Sequence, residues 1–188
     1  MAACSISNVK VLTPTSDAGP EPCRVEDDLV FEVTLDVMQA LKEDLLFRCM
    51  YVTDSASGKD VELESIDVGD GPGVRQGVQR FRFESSPPAQ SAIEASGGPL
   101  EVAGLYLSAV YRGEEFCRVG YYVRHDYDDP ALQEDPPATV DWARLRRVLS
   151  EPCVTKFQIP WDATEADHGR KRVREEDAGL CAGGTWVG

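Results

Sequence analysis

Positive charge and histidine are both scarce in this chain. Lys and Arg number 19 against 33 Asp and Glu, a formal net charge of -14, and only two histidines occur, His125 and His168. So acidic a surface repels nucleic-acid phosphates, which argues against direct DNA binding. It suits a basic protein or a polycationic tail instead. The six cysteines (Cys4, Cys23, Cys49, Cys117, Cys153 and Cys181) include no C-x-x-C pair. With so few histidines, no zinc site of the usual spacing is expected. No apolar run approaches the ~20 residues of a membrane span. Met1 to Val11 has neither the basic start nor the apolar run of a secretory leader, so the expectation is an intracellular protein with reduced thiols.

Catalytic patterns are missing as well. Gly69 to Gly73 lacks the Lys and following helix of a phosphate loop. Cys117 and His125 read as a buried strand thiol and an exposed strand-end imidazole, rather than as a nucleophile pair. Asp126, Asp128 and Asp129 lack the central Gly and terminal Glu of a calcium loop. No enzyme activity, cofactor or metal is expected.

What is present is period-two alternation broken by turn signals. Strands are predicted at Ser5–Leu12, Leu29–Val37, Leu45–Val52, Val61–Val68, Val78–Phe83, Val102–Arg112, Glu115–Arg124 and Cys153–Trp161. Pro14–Asp28 and Ser85–Pro99 read as loops, Met38–Asp44 as a connector or single helical turn, and Asp128–Pro137 as an acidic connector. Val140–Leu149 has helical spacing, with Trp142, Leu145, Val148 and Leu149 on one stripe and Arg144, Arg146 and Arg147 outside. The pattern predicts an all-β, immunoglobulin-like sandwich over residues 1–161 with one or two short helices. Residues 162–188 are predicted to be a disordered tail. Its cluster Arg170-Lys171-Arg172-Val173-Arg174 has the composition of a nuclear import signal.

One hairpin stands out, from Tyr111-Arg112-Gly113 through Glu114-Glu115-Phe116-Cys117-Arg118-Val119-Gly120-Tyr121-Tyr122-Val123. Alternation puts Phe116, Arg118, Gly120 and Tyr122 on one face and Cys117, Val119, Tyr121 and Val123 on the other. The second set is a core face. The first presents an Arg and a Tyr over a Gly-flattened patch, and both residue types favour interfaces.

This hairpin closely resembles that of the anti-silencing function family of histone chaperones, departing only at Glu114 and Cys117. Shorter matches follow in order: Asn8-Val9, Val11-Leu12, Phe31-Glu32-Val33-Thr34, Glu43-Asp44-Leu45, Tyr51-Val52, Pro136-Pro137, and Val154-Thr155-Lys156-Phe157 leading to Trp161. The resemblance covers residues 1–161 and implies a nuclear, monomeric chaperone of the histone H3–H4 dimer. By that resemblance, Gly104, Tyr106, Arg118 and Tyr122, with Asp60 as acidic partner, receive a helix of histone H3. Cys153, Val154 and Thr155, with Tyr121 nearby, receive a strand of histone H4. Leu35, Glu43, Asp44, Arg48, Glu64 and Val68 form a second surface for short basic peptides of downstream deposition chaperones. These modes are helix-in-groove binding and strand addition.

Three departures stand out. Gly104 replaces a bulky aliphatic residue, Cys153 replaces an Arg, and the Pro14–Asp28 loop is longer than usual. Tyr106 is expected to lean over the gap at Gly104. The alternative reading is an immunoglobulin-like adaptor for a non-histone basic peptide.

Overall fold

A computed structural model describes residues 2–12, 23–54 and 59–162. The basic cluster of the tail, Cys181, His168 and most of the Pro14–Asp28 loop lie outside these residues.

Among the described residues the chain forms ten strands: β1 (Cys4–Val11), β2 (Cys23–Arg24), β3 (Leu29–Val37), β4 (Leu45–Asp54), β5 (Lys59–Val68), β6 (Gly77–Ser85), β7 (Ala103–Tyr111), β8 (Glu114–Tyr127), β9 (Leu145–Leu149) and β10 (Cys153–Lys156). A small sheet runs β1-β3-β6. A larger one runs β2-β9-β8-β7-β4-β5, with β10 pairing β8 beside β9. Every pairing is antiparallel. The core lies between the sheets. Leu29, Phe31, Val33, Leu35 and Val37 of β3 oppose Leu45, Phe47, Cys49 and Tyr51 of β4, all 2% exposed or less. This is the predicted immunoglobulin-like sandwich, because alternating side chains need two sheets to bury one face of each.

The predicted helix at Val140–Leu149 is not formed. A single 3-10 turn at Trp142–Arg144 leads into strand β9. The reason is β8, whose 14 residues run on to Tyr127 and offer Val123–Tyr127 as an unpaired edge that β9 fills. Strand pairing turns Arg147, assigned to the outside, into the core at 2% exposure. Its guanidinium donates to the carbonyls of Val25 (3.1 Å), Asp27 (2.7 Å) and Asp28 (3.3 Å) and so pins the segment entering β3.

His125, expected at the surface, is also buried at 2%. It follows Tyr121 and Val123 on the inward side of β8, and its Nδ1 lies 3.1 Å from the Pro99 carbonyl. The loop at Ser85–Pro99 contains helix α1 (Gln90–Ala95), which inserts Ile93. The acidic connector contains α2 (Pro130–Glu134), N-capped by Asp129, whose Oδ1 accepts from the Ala131 amide at 2.9 Å. The last strand stops at Lys156 rather than Trp161. Of the described cysteines Cys4, Cys49 and Cys117 are buried free thiols, Cys23 is half-buried and Cys153 is exposed.

Candidate functional site

The outward face of the large sheet is built in rows. Arg48, Ser108 and Arg118 face one another across β4, β7 and β8. Met50, Tyr106 and Gly120 form the next row, and Val52, Gly104 and Tyr122 the third. Register fixes these neighbours, since residues two apart on a strand share a face. Asp60 and Glu62 of β5 extend the rows at Val52 and Met50.

Tyr106 and Arg118 are held by their neighbours. The Tyr106 hydroxyl donates to Asp60 Oδ2 at 2.6 Å. The Arg118 guanidinium lies over the Tyr106 ring, 4.5 Å from its centroid, and 5.8 Å from that of Phe157. Arg118 also donates from Nε and Nη2 to Glu115 at 3.0 and 2.7 Å, and Ser108 donates to the same carboxylate at 2.7 Å. Burial, reinforced by the hydrogen bond to Asp60, pushes the Tyr106 phenol up to about 12, so it stays a donor. The hydrogen bonds it donates to Glu115 raise Arg118 above its already high value. Tyr122 stands 55% exposed at the end of the third row.

Gly104 is explained by β4 rather than by Tyr106. A Cβ at Gly104 would lie 3.0 Å from Val52 Cγ2, so Val52 already fills the space and Tyr106 is turned to Asp60 instead. The expected leaning of Tyr106 over the gap does not occur.

Next to the face lies β10, where Cys153, Val154 and Thr155 pair with Gly120, Val119 and Arg118. Among the described residues no strand pairs its other edge. Val154 and Phe157 are 46% and 40% exposed there. Tyr121 lies underneath, buried, with its ring 5.8 Å from that of Phe31.

The residues assigned to the second surface do not all meet. Leu35 is wholly buried in β3. Arg48 projects from the opposite side, into the row with Ser108 and Arg118. Glu43 and Asp44 lie exposed in the β3–β4 connector. Glu43 Oε1 accepts from Arg112 at 2.7 Å, and Asp44 Oδ1 accepts from the Gly73 amide at 2.8 Å. Asp44 adjoins Gly69 and hence Val68, which is half-buried at the β5 edge, and Glu64 lies exposed on the same strand.

Sequence reasoning missed Asp162, placing it in the tail. It is 7% exposed, and its carboxylate accepts from the Tyr111 hydroxyl and the Lys42 amide at 2.6 and 2.8 Å. Arg112 pairs with its other oxygen at 2.7 Å. Trp161 stacks on Tyr111 and meets Phe116 edge-on, which buries Phe116 on an otherwise outward face. Its only sequence signal is an apolar-aromatic run, Ile159-Pro160-Trp161, just before an acid.

No three His, Cys, Asp or Glu among the described residues are grouped to hold a metal. No described helix is long and apolar enough to cross a membrane.

Fold and face together describe an immunoglobulin-like sandwich whose large sheet carries an outward row of mutually held aromatic and arginine side chains. The chain belongs to the ASF1 like histone chaperone family, whose pattern matches residues 1–162. It is similar to Histone chaperone ASF1 of Saccharomyces cerevisiae, 40% identical over 165 residues that make up 86% of this chain and 55% of that protein. The Debaryomyces hansenii protein of the same name is 39% identical over 165 residues, 86% of this chain and 58% of that one. That of Mycosarcoma maydis is 37% identical over 160 residues, 84% of this chain and 90% of that one. The chain therefore spans little more than half the length of the first two relatives.

Proposed function

We propose that this domain binds the dimer of histones H3 and H4, covers the face that would otherwise build the tetramer, and passes the dimer on for nucleosome assembly and disassembly. The observation that carries this reading is the three-row face. Tyr106 is held by Asp60, Arg118 lies flat on Tyr106, and Tyr122 stands exposed beside a flat Gly104, so a helix has a floor whose side chains are ordered before it arrives. Preordering lowers the entropy lost on binding. The open edge of β10 receives an added strand of histone H4 through main-chain hydrogen bonds. Net charge suits the basic partner and speeds encounter.

The second surface, reduced to Glu43, Asp44, Glu64 and Val68, takes a short basic peptide from a downstream deposition chaperone. The protein acts in the nucleus as a monomer, needs no cofactor, and contacts neither DNA nor membrane directly. The test is light scattering of the purified chain mixed with histones H3 and H4. A complex of one copy of each is expected. No complex, or a complex containing the histone tetramer, overturns the reading.

A further inference from the structure

At the hairpin end of the recognition face lies an open cavity of about 240 Å³. Met50 and Val110 supply its apolar wall, and Arg48, Arg118, Ser108 and Glu115 its polar one. Its acceptors and donors are out of balance. Both oxygens of Glu115 are occupied, Oε1 by Ser108 and by Arg118 Nε, and Oε2 by Arg118 Nη2. Arg118 is thus already neutralised from within the fold. Arg48 is paired more loosely: its Nε lies 3.7 Å from Glu62 Oε2, an ion pair beyond hydrogen-bonding distance, and the two side chains are 42% and 45% exposed. An arginine fork has five donors in one plane and matches a carboxylate bidentately.

We propose that this cavity is a socket for one acidic side chain of the bound partner, and that Arg48 is the residue that reads it. The inference rests on the proposed histone-binding face and adds to it a site for a carboxylate. A Glu or Asp on the bound helix lays its short aliphatic stem on Met50 and Val110 and meets Arg48 with its carboxylate. Arg118, held by Glu115, then acts as a flat platform on Tyr106 rather than as the partner's counter-ion. In so acidic a protein, a loosely paired cation at a fixed place on the face selects orientation: a helix docked in reverse would bring its acid toward Asp60 instead.

The experiment measures affinity of the full chain for the purified H3–H4 dimer by calorimetry, at two salt concentrations, for Arg48→Met, Arg48→Lys, Glu62→Gln and the double variant Arg48→Met with Glu62→Gln. Tyr122→Ala serves as the marker of the face itself. Arg48→Met is expected to weaken binding about tenfold or more and to flatten its salt dependence. Arg48→Lys should recover only part of the loss, because an ammonium lacks the planar fork. The double variant should bind no better than Arg48→Met. Unchanged affinity in Arg48→Met, or recovery of wild-type affinity in the double variant, overturns the proposal, since Arg48 would then be idle or serve only to neutralise Glu62. If Tyr122→Ala also leaves affinity unchanged, the histone-binding face falls with it. If Tyr122→Ala weakens binding while Arg48→Met does not, only the socket is lost.

Discussion

The hydroxyl of Tyr111 donates to the buried carboxylate of Asp162 at 2.6 Å, across 51 residues of sequence. Through this bond and the Lys42 amide, the end of the domain is tied at once to the β7–β8 hairpin and to the β3–β4 connector. Burial alone would raise the Asp162 carboxyl. The Tyr111 hydroxyl, the Lys42 amide and the Arg112 guanidinium outweigh it and hold it below the usual carboxylate range. A depressed carboxyl contributes stability that is present above the unfolded value, about 3.9, and lost as pH falls through the folded one. Asp162→Ala should therefore cost about 2–3 kcal/mol at pH 7, the worth of hydrogen bonds to a buried charge. Urea unfolding at pH 7 and pH 3 checks this. The difference between wild type and variant should shrink at the lower pH.

His125 gives a pH dependence in a different window. Burial lowers its pKa and neighbouring Arg147 adds to that, against the Pro99 carbonyl. The folded chain thus keeps His125 neutral, while the unfolded chain protonates it near pH 6.5. Stability should fall as pH drops from about 7 toward the lowered folded value, because the unfolded state binds the extra proton. In His125→Gln that part of the slope should vanish. Denaturant midpoints between pH 7.5 and 5 measure it, and an unchanged slope would contradict the assignment.

Gly104→Val should not simply extend the recognition face. Its Cβ would press on Val52 at 3.0 Å, so the variant is expected to lose about 1–3 kcal/mol of stability through overpacking. Adding Val52→Ala should recover much of that loss. A double-mutant cycle should find coupling between positions 104 and 52, and little between 104 and 106.

The two proposed surfaces should separate by mutation. Tyr122→Ala should cost about 2 kcal/mol or more of histone affinity, as exposed aromatic anchors do when an interface buries them. Glu43→Lys with Glu64→Lys should abolish binding of a basic peptide and leave histone affinity nearly intact. Asp44 is the poorer choice because its carboxylate caps the Gly73 amide, and its loss would disturb the turn. Loss of both activities in a folded Glu43→Lys, Glu64→Lys variant would mean one shared site.

Thiol reactivity should follow burial. Burial pushes the Cys4 and Cys49 thiols up to about 12 and Cys117 to about 11, whereas Cys153 is exposed. In the native protein a thiol reagent should modify Cys153 quickly and these three only after denaturant is added.

Alternation made β3 readable from Leu29 to Val37, and the core side of β8 from Cys117 to Val123, because an apolar residue at every second place has one physical meaning. The region after Pro137 was illegible for an equally physical reason. Leu145, Val148 and Leu149, following Trp142, satisfy helical spacing, and the residue that reports a strand is Arg147, an inward-facing cation that apolar patterning assigns to solvent. What admits it to the core is the set of carbonyls at Val25, Asp27 and Asp28, more than a hundred residues away in sequence. His125 and Asp162 were hidden similarly, since each is buried by a partner distant in sequence. In the candidate site, Tyr122 and Arg118 shared a readable strand face. That Arg48 belongs beside them depends on which strands become neighbours, whereas alternation already put Leu35 on one face with Phe31 and Val33.

Strand β8 has a consequence for how the molecule comes into being. One long ribbon is bordered by β7 on one side and, on the other, by β10 along its first half and β9 along its second. Chains emerge from synthesis N-terminus first, and pairings between distant segments form slowly. Both halves of that border arrive after β8 itself. The β10 edge proposed above to receive a histone strand is therefore among the last parts of the domain to exist, and a nascent chain that already shows Arg118 and Tyr122 still lacks it. The sheet face and the β10 edge thus become available at different moments in the life of each molecule.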